Sequence, residues 1–430
     1  MSDPSPATTP WPAGLSAPAR RALEAAGYAR TSDLTRARFI DLAGLHGVGP
    51  KALDLLSAAL TEAGLDFAEP APRSQQQWRR AMGTARPAGT GEDAAREARR
   101  RSAAAAGAAS TPKAPPVVLD VGGRDVRISS PDRVYFPETG WTKLDVVQYY
   151  LAVGPGILRA LRDRPTMLHR FPKGLAGEKV FQKRLPSGAP PWVTTVRLHF
   201  PRFDLHADEL CPTELAEIAW AGQMSTVEFH PWNVRRSDVD APDEWRIDID
   251  PMPDAGWDRV VRVAGAVRAT LDELGVTGYP KTSGGNGIHV YVRIPPDRGF
   301  AEVRRAAWAF AVAVEERLPD DVTTAWWRRD RRPDQVFLDY NQNARDHTLA
   351  SAYSLRGNPR GTVSTPFRWD ELDALDPRDF TLATVPGRFA ELGDLMAGID
   401  DEAFSLDALV EQADRLEADG RSIGSLPEPG

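Results

Sequence analysis

Two aspartates one residue apart, in Trp245-Arg246-Ile247-Asp248-Ile249-Asp250-Pro251, are the first groups in this sequence able to do chemistry. A period of two puts Trp245, Ile247 and Ile249 on one face of a strand and Arg246, Asp248 and Asp250 on the other. The two aspartate Cα atoms are then roughly 7 Å apart. That spacing suits divalent cations ~3.5–4 Å apart, the arrangement of two-metal phosphoryl transfer. Hard oxygen donors of this kind select magnesium or manganese. The polar face of an edge strand would carry the same pair, so it needs companions. One is Asp339, set among apolar residues in Val336-Phe337-Leu338-Asp339-Tyr340. An unpaired carboxylate there is costly without a cation; it is the expected third ligand, with a salt bridge to a nearby arginine as the alternative.

A second companion is the loop Pro280-Lys281-Thr282-Ser283-Gly284-Gly285-Asn286-Gly287-Ile288-His289. Its glycines allow backbone N–H groups to face one concavity, and Lys281, Ser283 and His289 add donors of the kind a triphosphate needs. No GK[ST] follows and the loop leads into a strand, so it is not a Walker A loop. Glu228-Phe229-His230-Pro231-Trp232 places His230 at an expected strand end, where it can reach a site. Phe181-Gln182-Lys183-Arg184 sets two cations beside an aromatic. The run 326–332 interleaves Trp326 and Trp327 with five charges, including Arg328 and Arg332, and suits stacking and phosphate contact with nucleic acid as well as a solvated loop does.

Elements that could position these groups follow from the pattern. Val117 to Ile128 alternates around Gly122-Gly123, as a hairpin does. Thr142 caps a helix, and further helices are expected over 257–274 and 301–318, with strands between them. Strands interleaved with helices over 117–389 indicate one α/β or α+β domain. Residues 13–67 read as a small helical unit, and 68–116, rich in Ala, Arg, Pro, Gly and Ser, as a flexible linker. Within the helical unit, 44–53 resembles a helix-hairpin-helix hairpin. There Gly47 and Gly49 allow the turn, and a helix N-terminus with Lys51 can hold a DNA phosphate.

The chain has 430 residues, 53 basic and 60 acidic, for a net charge of −7. The sum hides its distribution: 15 basic and 11 acidic residues in 1–115 (+4), 2 and 11 in 390–430 (−9), leaving 36 and 38 in 116–389 (−2). A net acidic chain therefore does not exclude a nucleic-acid partner. The acidic segment 390–430 is expected to be helical and to pack on or shield the catalytic region. The one cysteine, Cys211, excludes a disulfide framework. The start lacks a secretory pattern and no apolar run reaches a membrane span, so a cytoplasmic, nucleoid-associated protein is expected.

From about 117 to 370 the sequence resembles the polymerase domain of bacterial DNA ligase D and its stand-alone relatives in the archaeo-eukaryotic primase superfamily. The resemblance rests on FHPWN (229–233), DIDP (248–251), KTSGGNGIHV (281–290), VFLDYNQNARDHTLASAYSLR (336–356) and GTVSTPFRWDEL (361–372). It implies an α+β primase-polymerase fold with mixed β-sheets and an RRM-like catalytic half, preceded here by the small all-α module. Asp248, Asp250 and Asp339 match that family's metal-binding, catalytic aspartates, implying two Mn2+ or Mg2+ ions. Ser283 and His289 match its nucleotide-contacting motif, with Gly284 and Lys281 in the same loop. Lys183, His230, Arg332 and Arg356 fall where relatives bind phosphate or nucleotide, and Trp327 and Arg328 are the candidate DNA contacts. Many relatives carry Lys or Arg at Asn286, so a phosphate contact is altered here, and Lys281 is the candidate substitute.

The implied activity is addition of NTPs or dNTPs to a primer 3′ end on a DNA template during gap filling or end joining, by a monomer with a Ku-type or ligase partner. Primase activity and a ribonucleotide preference are implied with it. No KxDG ligase motif is present, so the chain reads as the separate polymerase form. A metal-dependent nuclease and a catalytically silent DNA-binding repair scaffold are the competing functions.

Overall fold

The computed structural model describes residues 10–12, 14–37, 42, 48, 50–63, 65, 67, 114–186, 188–200 and 205–424. Packing divides the chain into two units, Met1–Ser110 and Thr111–Gly430. In the first, α1 (Ala17–Ala25) and α2 (Pro50–Glu62) flank a 3-10 turn, Thr31–Arg36. Ser16 caps α1 by accepting the Ala19 N–H at 3.4 Å. Leu23, Leu34, Leu53, Leu56 and Leu60 share its small core, as their helical spacing requires. Gly47, Gly49 and the Lys51 side chain lie outside the described residues, as does nearly all of the expected linker.

The second unit opens with a hairpin of β1 (Val117–Val121) and β2 (Arg124–Ile128). Gly122 and Gly123 turn it at φ of 61° and 83°, the left-handed pair of a type I′ turn. The short pair β3 (Val134–Phe136) and β4 (Trp141–Thr142) leads into α3 (Lys143–Ala152) and α4 (Gly154–Leu161). Thr142 and Asp145 cap α3 reciprocally. A first sheet contains β5 (Thr166–Arg170), β6 (Val180–Gln182), β7 (Thr195–Phe200), β8 (Leu205–Leu210) and β9 (Thr226–Pro231), with α5 (Leu215–Gln223) between β8 and β9 in sequence.

After the small hairpin β10 (Val234–Arg235) and β11 (Asp238–Pro242) comes the second sheet. It contains β12 (Glu244–Pro251), β13 (Tyr279–Thr282), β14 (Ile288–Arg293), β15 (Val322–Thr323) and β16 (Val336–Leu338), in the order β13-β14-β12-β16-β15. All its pairs are antiparallel except β15 with β16. Helices α6 (Trp257–Glu273) and α7 (Phe300–Arg317) share the core on one face with Trp245, Ile247 and Ile249. Both helices fall within a residue of their predicted bounds. Trp257, Val260, Val263, Ala264, Val267 and Leu271 supply the packing stripe of α6.

The opposite face of β12 does not meet water as an edge strand would. Arg246, fully buried, donates to the Pro231 and Trp232 carbonyls at 2.8 and 3.0 Å and to Glu244 Oε1 at 2.9 Å. A guanidinium has five donors in a rigid fork, so this one side chain ties the second sheet to the end of β9. The candidate site therefore lies between the two sheets.

Glu209 on β8 is fully buried, and burial pushes its carboxyl up to about 8 although Lys183 opposes the shift. Its folded value lies above its unfolded value of about 4.3. The folded chain thus holds the proton more tightly, and stability falls as pH rises from about 4 to about 8. Glu209→Gln should flatten that decline. Thermal melts across the interval check it, and equal slopes for both proteins would contradict the assignment.

Within the second unit the C-terminal segment contributes α8 (Val385–Leu392) and α9 (Asp407–Ala418). Leu406, Leu409 and Ala413 enter the core of the second sheet. Its acids have partners on α7: Arg305 reaches Asp414 at 2.6 Å and Glu417 at 2.7 Å.

Candidate active site

Strand register assembles the site. Asp248 on β12 is opposite His289 on β14, and His289 is opposite Lys281 on β13. On the other side Ile249 pairs with Leu338, and the Asp339 N–H donates to the Asp248 carbonyl at 2.9 Å. Directly opposed residues share a face, so Lys281, His289, Asp248 and Asp339 form one row across four chain segments. Asp250 stands one step along β12 on the same face, at its solvent edge.

Where the acids meet, burial and mutual repulsion outweigh the cations nearby. Burial, reinforced by Asp339 and Asp250, raises the Asp248 carboxyl far above the ordinary aspartate range. Asp250 is raised too, by desolvation and then by Asp339. Carboxyls held in this state gain from a cation that neutralises them together. Asp339, just past β16, has its own shell: Oδ1 accepts the Asn341 backbone and amide N–H groups at 3.0 and 2.9 Å, and Oδ2 accepts from Gln342 at 2.8 Å. These bonds aim the carboxylate and leave one lone-pair site, on Oδ2, free. All three offer hard oxygen donors of the kind divalent cations take.

His289 Nε2 lies 3.4 Å from Asp248 Oδ1, and its Nδ1 lies 2.7 Å from Lys281 Nζ. Lys281 also donates to the Ala350 carbonyl at 2.8 Å and to Ser364 Oγ at 2.7 Å. It is fully buried. The expectation that Lys281 offers a loop-tip cation to a phosphate, or stands in for a base at Asn286, is therefore corrected. Its ammonium points inward and holds the imidazole.

The glycine loop also differs from expectation. Ser283 Oγ accepts the Gly285 and Gly287 N–H groups, each at 3.1 Å, so these two donors are spent within the loop. The Ser283 hydroxyl keeps its own proton to donate. Gly284 sits at φ +70°, and a Cβ there would lie 2.5 Å from Arg356 Cγ and 3.0 Å from the Ser364 nitrogen. Glycine alone lets Arg356 pass. Arg356 then donates to the Ser283 carbonyl at 2.9 Å. Asn286, exposed at the tip, borders a separate cavity of about 430 Å³ floored by Met252, Trp257 and Leu375.

Across from this row, β9 contributes Glu228 and His230, and β5 contributes His169. Glu228 Oε2 accepts from His230 Nε2 at 2.9 Å and His169 Nδ1 at 3.1 Å, and lies 3.4 Å from Arg356 Nε. Its Oε1 takes Lys179 Nζ at 3.2 Å and the Gly357 N–H at 3.0 Å. Burial would raise this carboxyl, but the two histidines and Arg356 outweigh it and hold it far below the ordinary range. Burial also lowers His230 to about 3, so the imidazole is neutral. An ionised carboxylate only accepts, which fixes the donating nitrogen of each ring.

His169, Glu228 and His230 offer ligand atoms within 4.8 Å of one another, as a metal site would. Lys179 and Arg356 already neutralise that carboxylate, so an incoming cation would meet two resident ones. The Glu228 carboxylate thus already has its positive partners, whereas the aspartates have each other as neighbours. Glu228 was legible as the residue two before His230, on the same strand face. His169 and Lys179 carried no such signal.

The basic run resolves differently from its parts. Arg332 turns away, paired with Asp334 Oδ1 at 3.1 Å and donating to the Asp320 carbonyl at 2.8 Å, so its expected place beside the nucleotide is corrected. Arg331 lies nearer the acids: its guanidinium packs 3.3 Å from the Phe337 ring centroid, donates to the Ala325 and Trp326 carbonyls at 2.9 Å each, and feels Asp339 and Asp250. Arg328 is near enough to lower Asp250. Trp327 is exposed, with Arg329 over its ring. Lys183 follows β6 and lies over the Phe200 ring at 4.5 Å. Among the described residues no helix is long and apolar enough to cross a membrane.

A sequence model of the LigD primase-polymerase domain matches residues 142–396, more than half of the chain. The multifunctional non-homologous end joining protein LigD of Mycolicibacterium smegmatis is 32% identical over 306 residues, covering 71% of this chain and 39% of that protein. Its Pseudomonas aeruginosa namesake is 33% identical over 269 residues, covering 62% and 32%. The bifunctional LigD of Bacillus subtilis is 31% identical over 271 residues, covering 62% and 43%. The chain thus spans about a third to two fifths of the length of these curated relatives. Among solved structures, the polymerase domain of Mycobacterium tuberculosis ligase D in complex with DNA aligns with a TM-score of 0.59 at 28% identity. That alignment covers 65% of this chain and 99% of that one.

Proposed function

The chain belongs to the LigD primase-polymerase domain family, an enzyme family of nucleotidyltransferase polymerases, and from that premise we propose that it adds nucleotides to a primer 3′ end on a DNA template during repair of gaps or broken ends. The observation that carries this reading is the row of Asp248, Asp339 and His289, with crowded acids beside a cluster of fixed donors.

Asp248, Asp250 and Asp339 would hold two divalent cations, Mn2+ or Mg2+, whose chemistry when bound is to activate the 3′-hydroxyl and steady the charge of the triphosphate. The protein's part is placement. Arg356, locked between Glu228 and the Ser283 carbonyl, presents a planar fork beside the aspartates. The Ser283 hydroxyl and His289 add neutral donors on the same side. Phe181, an exposed ring held edge-on against His169, offers a face on which a base can stack. Trp327 and Arg328 suit a neighbouring strand. A tethered N-terminal unit that binds DNA would raise the local concentration of the catalytic unit.

These donors disfavour a nuclease, which has no use for a triphosphate cradle. Incorporation on gapped, overhanging and unprimed templates, with dNTPs and NTPs compared, tests the proposal. Primer lengthening on gapped or overhanging DNA supports it, and primer shortening or DNA binding without incorporation overturns it.

Asn286 gives a smaller expected result. Asn286→Lys puts a cation at the exposed loop tip, where an exposed pair is worth about 1 kcal/mol. The apparent KM for nucleotide should fall by about fivefold, read by nucleotide titration at fixed DNA. An unchanged KM would mean the tip does not meet the phosphates.

A further inference from the structure

Asp339 is connected to a part of the chain that lies beyond the family match, which ends at residue 396. The connection runs through Arg304 on α7, which is nearly buried. Its Nε donates to Asn341 Oδ1 at 3.0 Å, and its Nη2 donates to the Gly424 carbonyl at 2.6 Å. Asn341 in turn gives its amide N–H to Asp339 Oδ1 at 2.9 Å. An asparagine amide can flip, exchanging donor for acceptor. A guanidinium only donates, so Arg304 fixes Oδ1 on its own side and leaves Nδ2 facing the carboxylate. Gly424 fixes Arg304 by taking the other prong of the fork.

A second set of contacts leads to the same place. Gly424 lies against the Trp326 ring, where a Cβ would come within 2.8 Å of ring and side-chain carbons. The Trp326 carbonyl accepts from Arg331 at 2.9 Å, and Arg331 is close enough to feel Asp339 and Asp250. Arg304 lies between the Trp326 and Tyr340 rings, 5.3 and 5.4 Å from their centroids. The segment itself is held by Arg421, which reaches Glu316 on α7 at 2.7 Å, and by Ile423 against the core.

We propose that the segment ending at Gly424, acting through Arg304 and Asn341, is a positioning element for the Asp339 carboxylate and sets how tightly the aspartate row holds a divalent cation. This inference rests on the two-cation reading above. It gives the C-terminal segment a role in the site, through hydrogen-bond geometry rather than through its charge.

The test uses the full chain and Mn2+ alone. Arg304→Lys keeps the positive charge, so its repulsion of a cation is unchanged, but it loses the planar fork that serves Asn341 and Gly424 together. Gly424→Val displaces the segment from Trp326 and leaves Arg304 intact. Free Mn2+ measured by electron paramagnetic resonance, without DNA or nucleotide, gives the affinity. Each variant should weaken Mn2+ binding about tenfold, the scale of lost outer-shell partners. The incorporation rate should return to within about twofold of the unsubstituted chain at saturating Mn2+. Unchanged Mn2+ affinity in Gly424→Val, or in Arg304→Lys with an unaltered melting temperature, overturns the proposal. Absence of Mn2+ binding by the unsubstituted chain would instead refute the two-cation reading, a distinct result.

Discussion

Asp248→Ala should reduce nucleotide incorporation by at least about a thousandfold while leaving the fold intact. Asp248 is the centre of the row, flanked by His289 and Asp339, and it is the aspartate whose ionisation burial and its neighbours oppose most. Removing it takes away a cation ligand and relieves like-charge crowding. The variant should therefore be as stable as the parent, or more so, while losing activity. That opposite movement separates a ligand from a structural acid. Single-turnover primer extension with Mn2+, alongside thermal melts, reads both. A variant that melts far lower, or extends at the parent rate, would contradict the assignment.

Glu228→Gln should have the largest effect on stability. The carboxylate accepts from His169, His230 and Lys179 and is ion-paired with Arg356. Removing one partner from a buried charged network costs about 3–5 kcal/mol, a fall in melting temperature on the order of 10 °C for a unit of this size. The folded carboxyl titrates far below its unfolded value, so its stabilisation is complete above about pH 5 and is lost as the pH falls. The gap between the two proteins should be full at pH 7 and narrow towards pH 3. A gap that stays constant over that range would show that Glu228 acts by shape and not by charge. Arg356 loses its anchor in the same variant, so nucleotide binding should weaken as well.

The sequence showed the parts of the site more readily than their partners. Asp248 and Asp250 were legible because a strand's period of two depends only on local spacing. His230 was legible from the proline that follows it, and Gly122-Gly123 and Thr142 from turn and cap chemistry that is equally local. Register is not local. Nothing in the spacing of Lys281, His289 and Asp248 showed that they would stand side by side, so Lys281 read as an outward cation when it is an inward brace. Arg331 and Arg332 differ by one position in a loop without a fixed period, and only tertiary packing decides which one lies nearer the aspartates. The acidic count of 390–430 was plain, but Arg305 on α7, which pairs with Asp414 and Glu417, lies more than 100 residues away in sequence.

The activity expected of the aspartate row is template-directed addition of nucleotides. Its most direct measurement offers each of the four nucleotides, one at a time, to a gapped duplex with each of the four templating bases, in the presence of Mn2+. The primer should be lengthened by the nucleotide complementary to the template, in all four cases, with the product absent in Asp248→Ala. Addition that ignores the templating base, degradation of the primer, or the same product from the Asp248→Ala chain would contradict it.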